Sequence, residues 1–576
     1  MFVVQGDITD ICCDVLLIPV NAAGQGWRKE DLLTSPFHKR WLETYAKRKL
    51  ASVCAMPSSS SAASTPTRSW FDFLSPKDIP KVKTTKYSRI FHLQHNQTNY
   101  PSIFALNVVP NTAETVEERL LWQMKGLKQF LSLVKGFLQD APPAKRGKYL
   151  VSVPVIGSGG GGGMRQTGRI LREILQITTD FTSKQDKIDI VVCTFDRPTL
   201  IIAQKIRLEQ KEHYFRSLMA DPIFSFPPPF TSVFEFTKHL ATQLENDKLV
   251  LFLGRDANRC TGILSQEDLM DKIAVMCGIH TGTASWKNSD LLSRADIIHA
   301  RCQRKQLNFQ ELIAAEQAFP QCSLLNLLVA GLNFSGVVTT NYETTYEHTF
   351  AKVQKKTLNV IPVKIAKDSK NWLLKLNGCV SVHDTIVATR KDTLRYMEGN
   401  AALAGIVQAK LLTSHMLFIG FSLDDNTFHQ VIDSVSKATV NEVRCIGTTV
   451  QPFHNLYSGE LWSPLIECTA MTEAPKDTMI SERMQMESFR KIEIFMDLLF
   501  LQSVAFNTEY ILDHRFNEIL DPKELILKER LNSLAEKLRG ENFTDRSIFT
   551  NLPVIANTLT SYGKHVTPTL SYSMAT

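Results

Sequence analysis

Glycine clusters, strand-end amides and small hydroxyl residues recur along this chain in patterns that can hold a phosphate or a sugar. Gly6-Asp7-Ile8-Thr9 follows the apolar run at 2–4, and Val155-Ile156-Gly157-Ser158 leads into the glycine run 159–163, ahead of a helix-like stretch near Arg165. Glycine lets backbone N–H groups approach an anion, and a helix start adds partial positive charge. Taken alone, the glycine run also reads as a surface linker. Further along, the apolar run 249–253 ends in Gly254-Arg255-Asp256, the opening of a strand-turn-helix unit. Thr339, Thr340 and Asn341 close the run that starts at Val337, Asn377-Gly378 follow Leu374-Lys375-Leu376, and Gly420-Phe421-Ser422-Leu423-Asp424-Asp425 follow 416–419. In a parallel sheet all of these fall at the carboxyl ends of strands, where such sheets bind ligands.

Those residues need a scaffold, and hydrophobic periodicity predicts one. Apolar runs at 2–4, 15–20, 90–93, 103–109, 150–156 and 188–195 read as buried strands. Leu120, Leu121, Met124, Leu127, Phe130, Leu131, Val134 and Leu138 recur at three- and four-residue steps, the stripe of a helix covering that sheet. The class is therefore α/β. A second series, 249–253, 337–340, 373–376 and 416–421, is separated by helical stretches and predicts a Rossmann-like parallel sheet with crossover helices. From residue 487 to about 503 an amphipathic helix opens a mostly helical C-terminal part. Residues 221–230 hold four prolines in ten positions and cannot continue a helix or a ladder. The expected organisation is an α/β module at 1–220 with a flexible insertion at 56–69, a linker at 221–230, a second domain at 231–515 and a helical extension at 516–576. The two parts are expected to fold separately.

The second set of motifs, in this order and spacing, resembles the sirtuin-like superfamily. Within it, the branch without a zinc ribbon that includes bacterial defence NAD hydrolases is the nearer likeness. Gly6-Asp7-Ile8-Thr9, Pro19-Val20-Asn21-Ala22-Ala23 and the glycine-rich loop resemble the macrodomain family, whose members bind ADP-ribose. By the macrodomain resemblance, Asp7 accepts from the adenine amino group, Asn21 lies near the distal ribose, and the loop carrying Gly157, Gly159 and Gly160 cradles the diphosphate. A module used only for docking is the alternative. By the sirtuin-like resemblance, Gly254, Arg255 and Asp256 form the pyrophosphate turn, and Asn341 contacts the nicotinamide ribose or positions the attacking water. Thr339 and Thr340 shape the pocket floor, while Gly420 and Ser422 hold the adenosine ribose. NAD or ADP-ribose is the implied ligand, with no metal.

Two positions depart from the family pattern. Where relatives read L-G-A-G-x-S, this chain has Leu253-Gly254-Arg255-Asp256-Ala257-Asn258, which places a carboxylate beside an expected diphosphate. Where relatives read L-H-G, it has Leu376-Asn377-Gly378. The family histidine is the general base. A neutral amide can orient a hydroxyl but cannot take its proton near neutral pH. The resemblance therefore implies an NAD- or ADP-ribose-binding protein of NAD-hydrolase ancestry with impaired catalysis. An active NAD glycohydrolase of the defence type, with a base from elsewhere such as His383, and a scaffold that binds no nucleotide remain as alternatives. Protein deacylation is disfavoured, because the zinc-ribbon cysteines that accompany it are missing.

Composition narrows the partners. Sixty-five Lys+Arg against 58 Asp+Glu leave +7, too small an excess to argue for nucleic acid. Eleven cysteines form no C-x-x-C pair, which predicts reduced thiols in a cytoplasmic protein rather than a zinc cluster. The apolar runs are too short to cross a bilayer, and a homo-oligomer is left open.

Overall fold

The computed structural model describes residues 1–8, 10–20, 90–93, 102–108, 115–138, 146–158, 163–209, 226–227, 229–259, 261–317, 322–364, 371–438, 445–454, 456–475, 479–504, 507–540, 558–559 and 561–563. It is an α/β protein built on two sheets. The first contains β1 (Phe2–Gln5), β2 (Val15–Val20), β3 (Ile90–Leu93), β4 (Ser102–Asn107), β5 (Tyr149–Pro154) and β6 (Ile188–Thr194), in the order β1-β6-β5-β2-β4-β3. All pairings are parallel except the antiparallel edge pair β3 and β4. Strands β1 and β6 are buried along their whole length, as expected for strands covered on both faces.

Helix α1 (Val116–Phe137) covers one face of that sheet with the predicted stripe. Leu120, Met124, Leu127, Phe130, Leu131 and Val134 are buried, and a capping box between Thr115 and Glu118 fixes the helix start. Leu121 instead faces solvent. Helices α2 (Thr167–Thr182) and α3 (Arg197–Glu209) complete the layers, and α4 (Val233–Glu245) leads into the second sheet.

The second sheet contains β7 (Leu249–Leu253), β8 (Val337–Thr339), β9 (Asn359–Ile361), β10 (Trp372–Lys375), β11 (His415–Ile419), β12 (Gly447–Phe453) and β13 (Ile466–Thr472). Its order is β13-β12-β11-β7-β8-β10-β9 and every pairing is parallel. The chain runs outward from β7 through β8 to β9 and β10, then returns to β11 on the other side of β7. That reversal is a topological switch point, and it opens a crevice at the carboxyl ends of these strands. Helices α5 (Gln266–Met276), α6 (Leu291–Arg304) and α7 (Phe309–Glu316) form a separate apolar cluster that closes on Tyr342 and Ile386 in the loops of that edge. Helices α8 (Leu324–Gly331), α9 (Thr345–Gln354), α10 (Tyr396–Thr413), α11 (Asn426–Ala438), α12 (Glu482–Ser503) and α13 (Pro522–Gly540) follow.

Helix α12 departs from the expected amphipathic pattern. Ile492, Ile494, Phe495, Met496, Leu498, Leu499, Phe500 and Leu501 are all buried, together with Glu493 and Asp497, so the second half of the helix is buried on every side. The reason is position: it packs against α3, α4, α8, β1 and β12. A single core cluster consequently runs from Val3 and Val191 through Phe495 to Leu251 and Ile419. The expectation of two separately folding parts meets a core that both sheets share.

Candidate functional site

The turn after β7 is built by close backbone approach. A Cβ on Gly254 would lie 2.0 Å from the Gly420 carbonyl oxygen and 2.3 Å from the Phe421 Cα, so no larger residue fits. Gly420 has φ +61°, and its carbonyl accepts from the Asp256 N–H at 3.1 Å. The Gly254 N–H donates to Ile419, and the Ala257 N–H to the Gly254 carbonyl at 3.3 Å. The Gly254, Asp256 and Ala257 N–H groups are thus engaged by the chain itself.

The charged side chains of the turn take different partners. The Asp256 carboxylate, 44% exposed, pairs with Arg259 at 3.1 Å, and Arg259 stacks on Phe489 at 3.9 Å. Arg255 turns the other way and donates from Nη2 to the Leu264 carbonyl at 2.6 Å. Burial pulls its guanidinium below the ordinary value, opposed by the Glu343 carboxylate. Arg259, not Arg255, offsets the charge of Asp256.

The polar ends of β8 brace this turn. Thr339 Oγ1 donates to the Leu253 carbonyl at 2.7 Å and accepts from the Asn341 N–H at 3.1 Å. Asn341 Nδ2 donates to the Gly254 carbonyl at 3.2 Å. Thr340 is half-buried beside them. Asn258 donates to the buried Glu343 carboxylate and accepts from Asn326 Nδ2 at 2.6 Å, while Ser323 Oγ donates to the Ala257 carbonyl at 2.5 Å. Burial raises Glu343 above its usual range, with Lys375 opposing.

Asn377 occupies the loop after β10 and is 8% exposed. Its main-chain carbonyl accepts from the Val387 N–H at 3.0 Å. Its Oδ1 is buried without a partner. Gly378, at φ +89°, makes the turn possible, since a Cβ there would sit 2.1 Å from the Thr385 carbonyl oxygen. The fully buried Lys375 ties the amide-bearing loops together: Nζ donates to the carbonyls of Tyr342 at 3.2 Å and Glu343 at 2.5 Å and pairs with Glu347 at 2.6 Å. Burial lowers its pKa, but Glu347, Cys379 and Glu343 outweigh it and the net shift is upward. Sequence reasoning did not assign Lys375 to the site, although a charge within the run 372–376 is the signal of a buried pair. Ser422 is exposed and hydrogen-bonds Asp424 at 3.0 Å. His383 pairs with Glu311 and Asp384, so its imidazole is held in the η-turn at 383–385.

In the first sheet, Asp7 is exposed at the end of β1 and its charge raises the buried Cys193 thiol on β6, whose pKa is driven first by burial to about 12. Gly157 has φ +85° and rests on Gln123, whose Oε1 would meet a Cβ there at 2.1 Å. Gly163 N–H donates to the Gly157 carbonyl at 3.0 Å and closes the loop. Asn21, Gly159, Gly160 and the stretch 56–69 lie outside the described residues. Among the described residues no group of His, Cys, Asp and Glu is placed to hold a metal ion, and no helix is long and apolar enough to cross a membrane.

The SIR2-like domain family matches residues 335–450, the stretch that carries Thr339, Asn341, Asn377, Gly420 and Asp425. Among solved structures, a mutant of the Oceanobacillus iheyensis macrodomain aligns at 17% identity and TM-score 0.24, over 37% of this chain and 92% of its own. No curated protein matches the chain.

Proposed function

We propose that the protein binds NAD or ADP-ribose at the carboxyl ends of β7, β8, β10 and β11 and cleaves NAD poorly or not at all. The observation that carries this reading is Asn377. A buried amide oxygen with no partner is costly, and it becomes satisfied when a ligand hydroxyl donates to it. The same amide has no basic lone pair with which to remove a proton, so it can orient a ribose or water without activating it. His383 sits half-buried, 3.3 Å from the Asp384 carboxylate and 3.5 Å from that of Glu311 on α7. Within this reading the first sheet offers a second ADP-ribose site around Asp7 and the Gly157 loop, and the protein acts on nucleotide ligands rather than nucleic acid, in the cytoplasm. Calorimetric titration of the full chain with NAD and with ADP-ribose, followed by a nicotinamide-release assay, tests it. Binding with negligible release is expected. Robust release by the unmodified chain, abolished by Asn341→Ala, would replace this reading with an active NAD glycohydrolase, and absence of binding would leave a scaffold.

A further inference from the structure

Two thiols outside the candidate site lie in contact in the helices beside it. Cys277 caps the carboxyl end of α5, and Cys302 stands in the last turn of α6. They are 25 positions apart in sequence, yet their sulfurs are 3.4 Å apart and both side chains are buried. Neither is in a disulfide. A disulfide bond is about 2.05 Å long, so the sulfurs need to close by about 1.4 Å. Both stand where a helix ends and the backbone can yield. The Cys277 N–H donates to the Ile273 carbonyl at 2.9 Å just before Gly278, whose φ is +73°. The Cys302 carbonyl accepts from the Lys305 and Leu307 N–H groups at 3.0 and 2.9 Å.

We propose that Cys277 and Cys302 are a redox pair that a hydroperoxide joins into a disulfide and a thiol reductant releases, locking α5 to α6 beside the crevice. In the first step one sulfur attacks a peroxide oxygen, the O–O bond breaks, and a sulfenic acid and water form. The second sulfur then attacks the sulfenic sulfur, the S–S bond forms, and a second water leaves with the remaining thiol proton. The two thiols lose two electrons and the peroxide takes them up. Burial pushes the Cys302 thiol up to about 12, with the hydrogen bond to Cys277 adding to it and Lys305 opposing. The closed pair is thus slow to react, and oxidation proceeds when the helices open. Opening is local, because these helices pack in an apolar cluster of their own, apart from the core that the sheets share. That cluster ends on Tyr342, next to Asn341, and on Ile386, next to the Val387 N–H that holds the Asn377 carbonyl. The disulfide thereby stiffens the loops that bear both amides.

The test treats the reduced full chain with hydrogen peroxide under native conditions, alkylates the remaining thiols and reads tryptic peptides by mass spectrometry. A peptide pair joined through Cys277 and Cys302, lighter by two hydrogens than the free peptides and separated by dithiothreitol, is expected. Amide exchange across 266–316 is expected to slow at least about tenfold on oxidation, because a cross-link restrains opening, and to recover with reductant. Cys302→Ala should abolish both the joined pair and the slowing; if that variant fails to fold, Cys277→Ala takes its place. The proposal is overturned if both cysteines are recovered alkylated, or oxidised singly to sulfinic acid. It is equally overturned by a link that forms only in denaturant, or by one that leaves exchange across 266–316 unchanged. None of these readings needs a bound nucleotide, so they decide the lock whether or not the crevice takes NAD.

Discussion

Lys375 Nζ lies among the Tyr342 and Glu343 carbonyls and the Glu347 carboxylate, and no part of it reaches solvent. It fixes the distance between the loop bearing Asn341 and the loop bearing Asn377 from beneath. Breaking a buried pair from one side leaves the other charge in low dielectric, so Lys375→Met is expected to cost about 3–5 kcal/mol, read by chemical denaturation. Adding Glu347→Leu should recover most of that loss, because a buried pair replaced by apolar groups is often neutral. A Lys375→Met variant as stable as the unmodified chain would show that the ammonium does not carry the loops. Asn377 was legible from its place between Leu376 and Gly378. That its Oδ1 is buried without a partner was not, since burial depends on the loops packed around it.

The strand-turn elements repeat this pattern of legible presence and hidden pairing. Gly254 must be glycine because the Gly420 backbone occupies the space of its Cβ. Gly254→Ala is therefore expected to lower stability by about 1–3 kcal/mol, visible as a fall in thermal midpoint. An unchanged midpoint would mean that the two turns do not meet as described. Runs of Val, Leu, Ile and Phe exposed β7, β8, β10 and β11 in the sequence, because strands buried on both faces are apolar throughout. Strands β9, β12 and β13 escaped notice. β9 is three residues long and half-buried, and β12 and β13 interleave Thr, Gln, Glu and Cys with apolar residues. The pairing of Asp256 was not legible either: spacing alone could not show that Arg259 takes its carboxylate.

Across the whole molecule, the two sheets are joined by more than apolar contact. Arg207 on α3 makes a bidentate pair with Asp497 on α12, at 2.9 and 2.6 Å, and Arg490 on α12 pairs with Asp189 on β6 at 2.6 Å. The loop after β1 meets the chain ahead of α8 through Cys12 N–H to Cys322 O at 3.0 Å and Cys322 N–H to Asp10 O at 2.9 Å. Ser323 then braces the Ala257 carbonyl of the pyrophosphate turn. Asp497→Ala is expected to cost about 3–5 kcal/mol and to leave a single unfolding transition followed by both intrinsic fluorescence and circular dichroism. Two separated transitions in the unmodified chain would contradict the shared core. The central claim, that an amide at position 377 leaves binding intact and withholds catalysis, is tested most directly by nicotinamide release from NAD in Asn377→His. The account predicts release at least about 10²-fold above the unmodified chain, with NAD affinity little changed. An Asn377→His chain that folds and binds NAD but releases no more nicotinamide than the unmodified chain would contradict it.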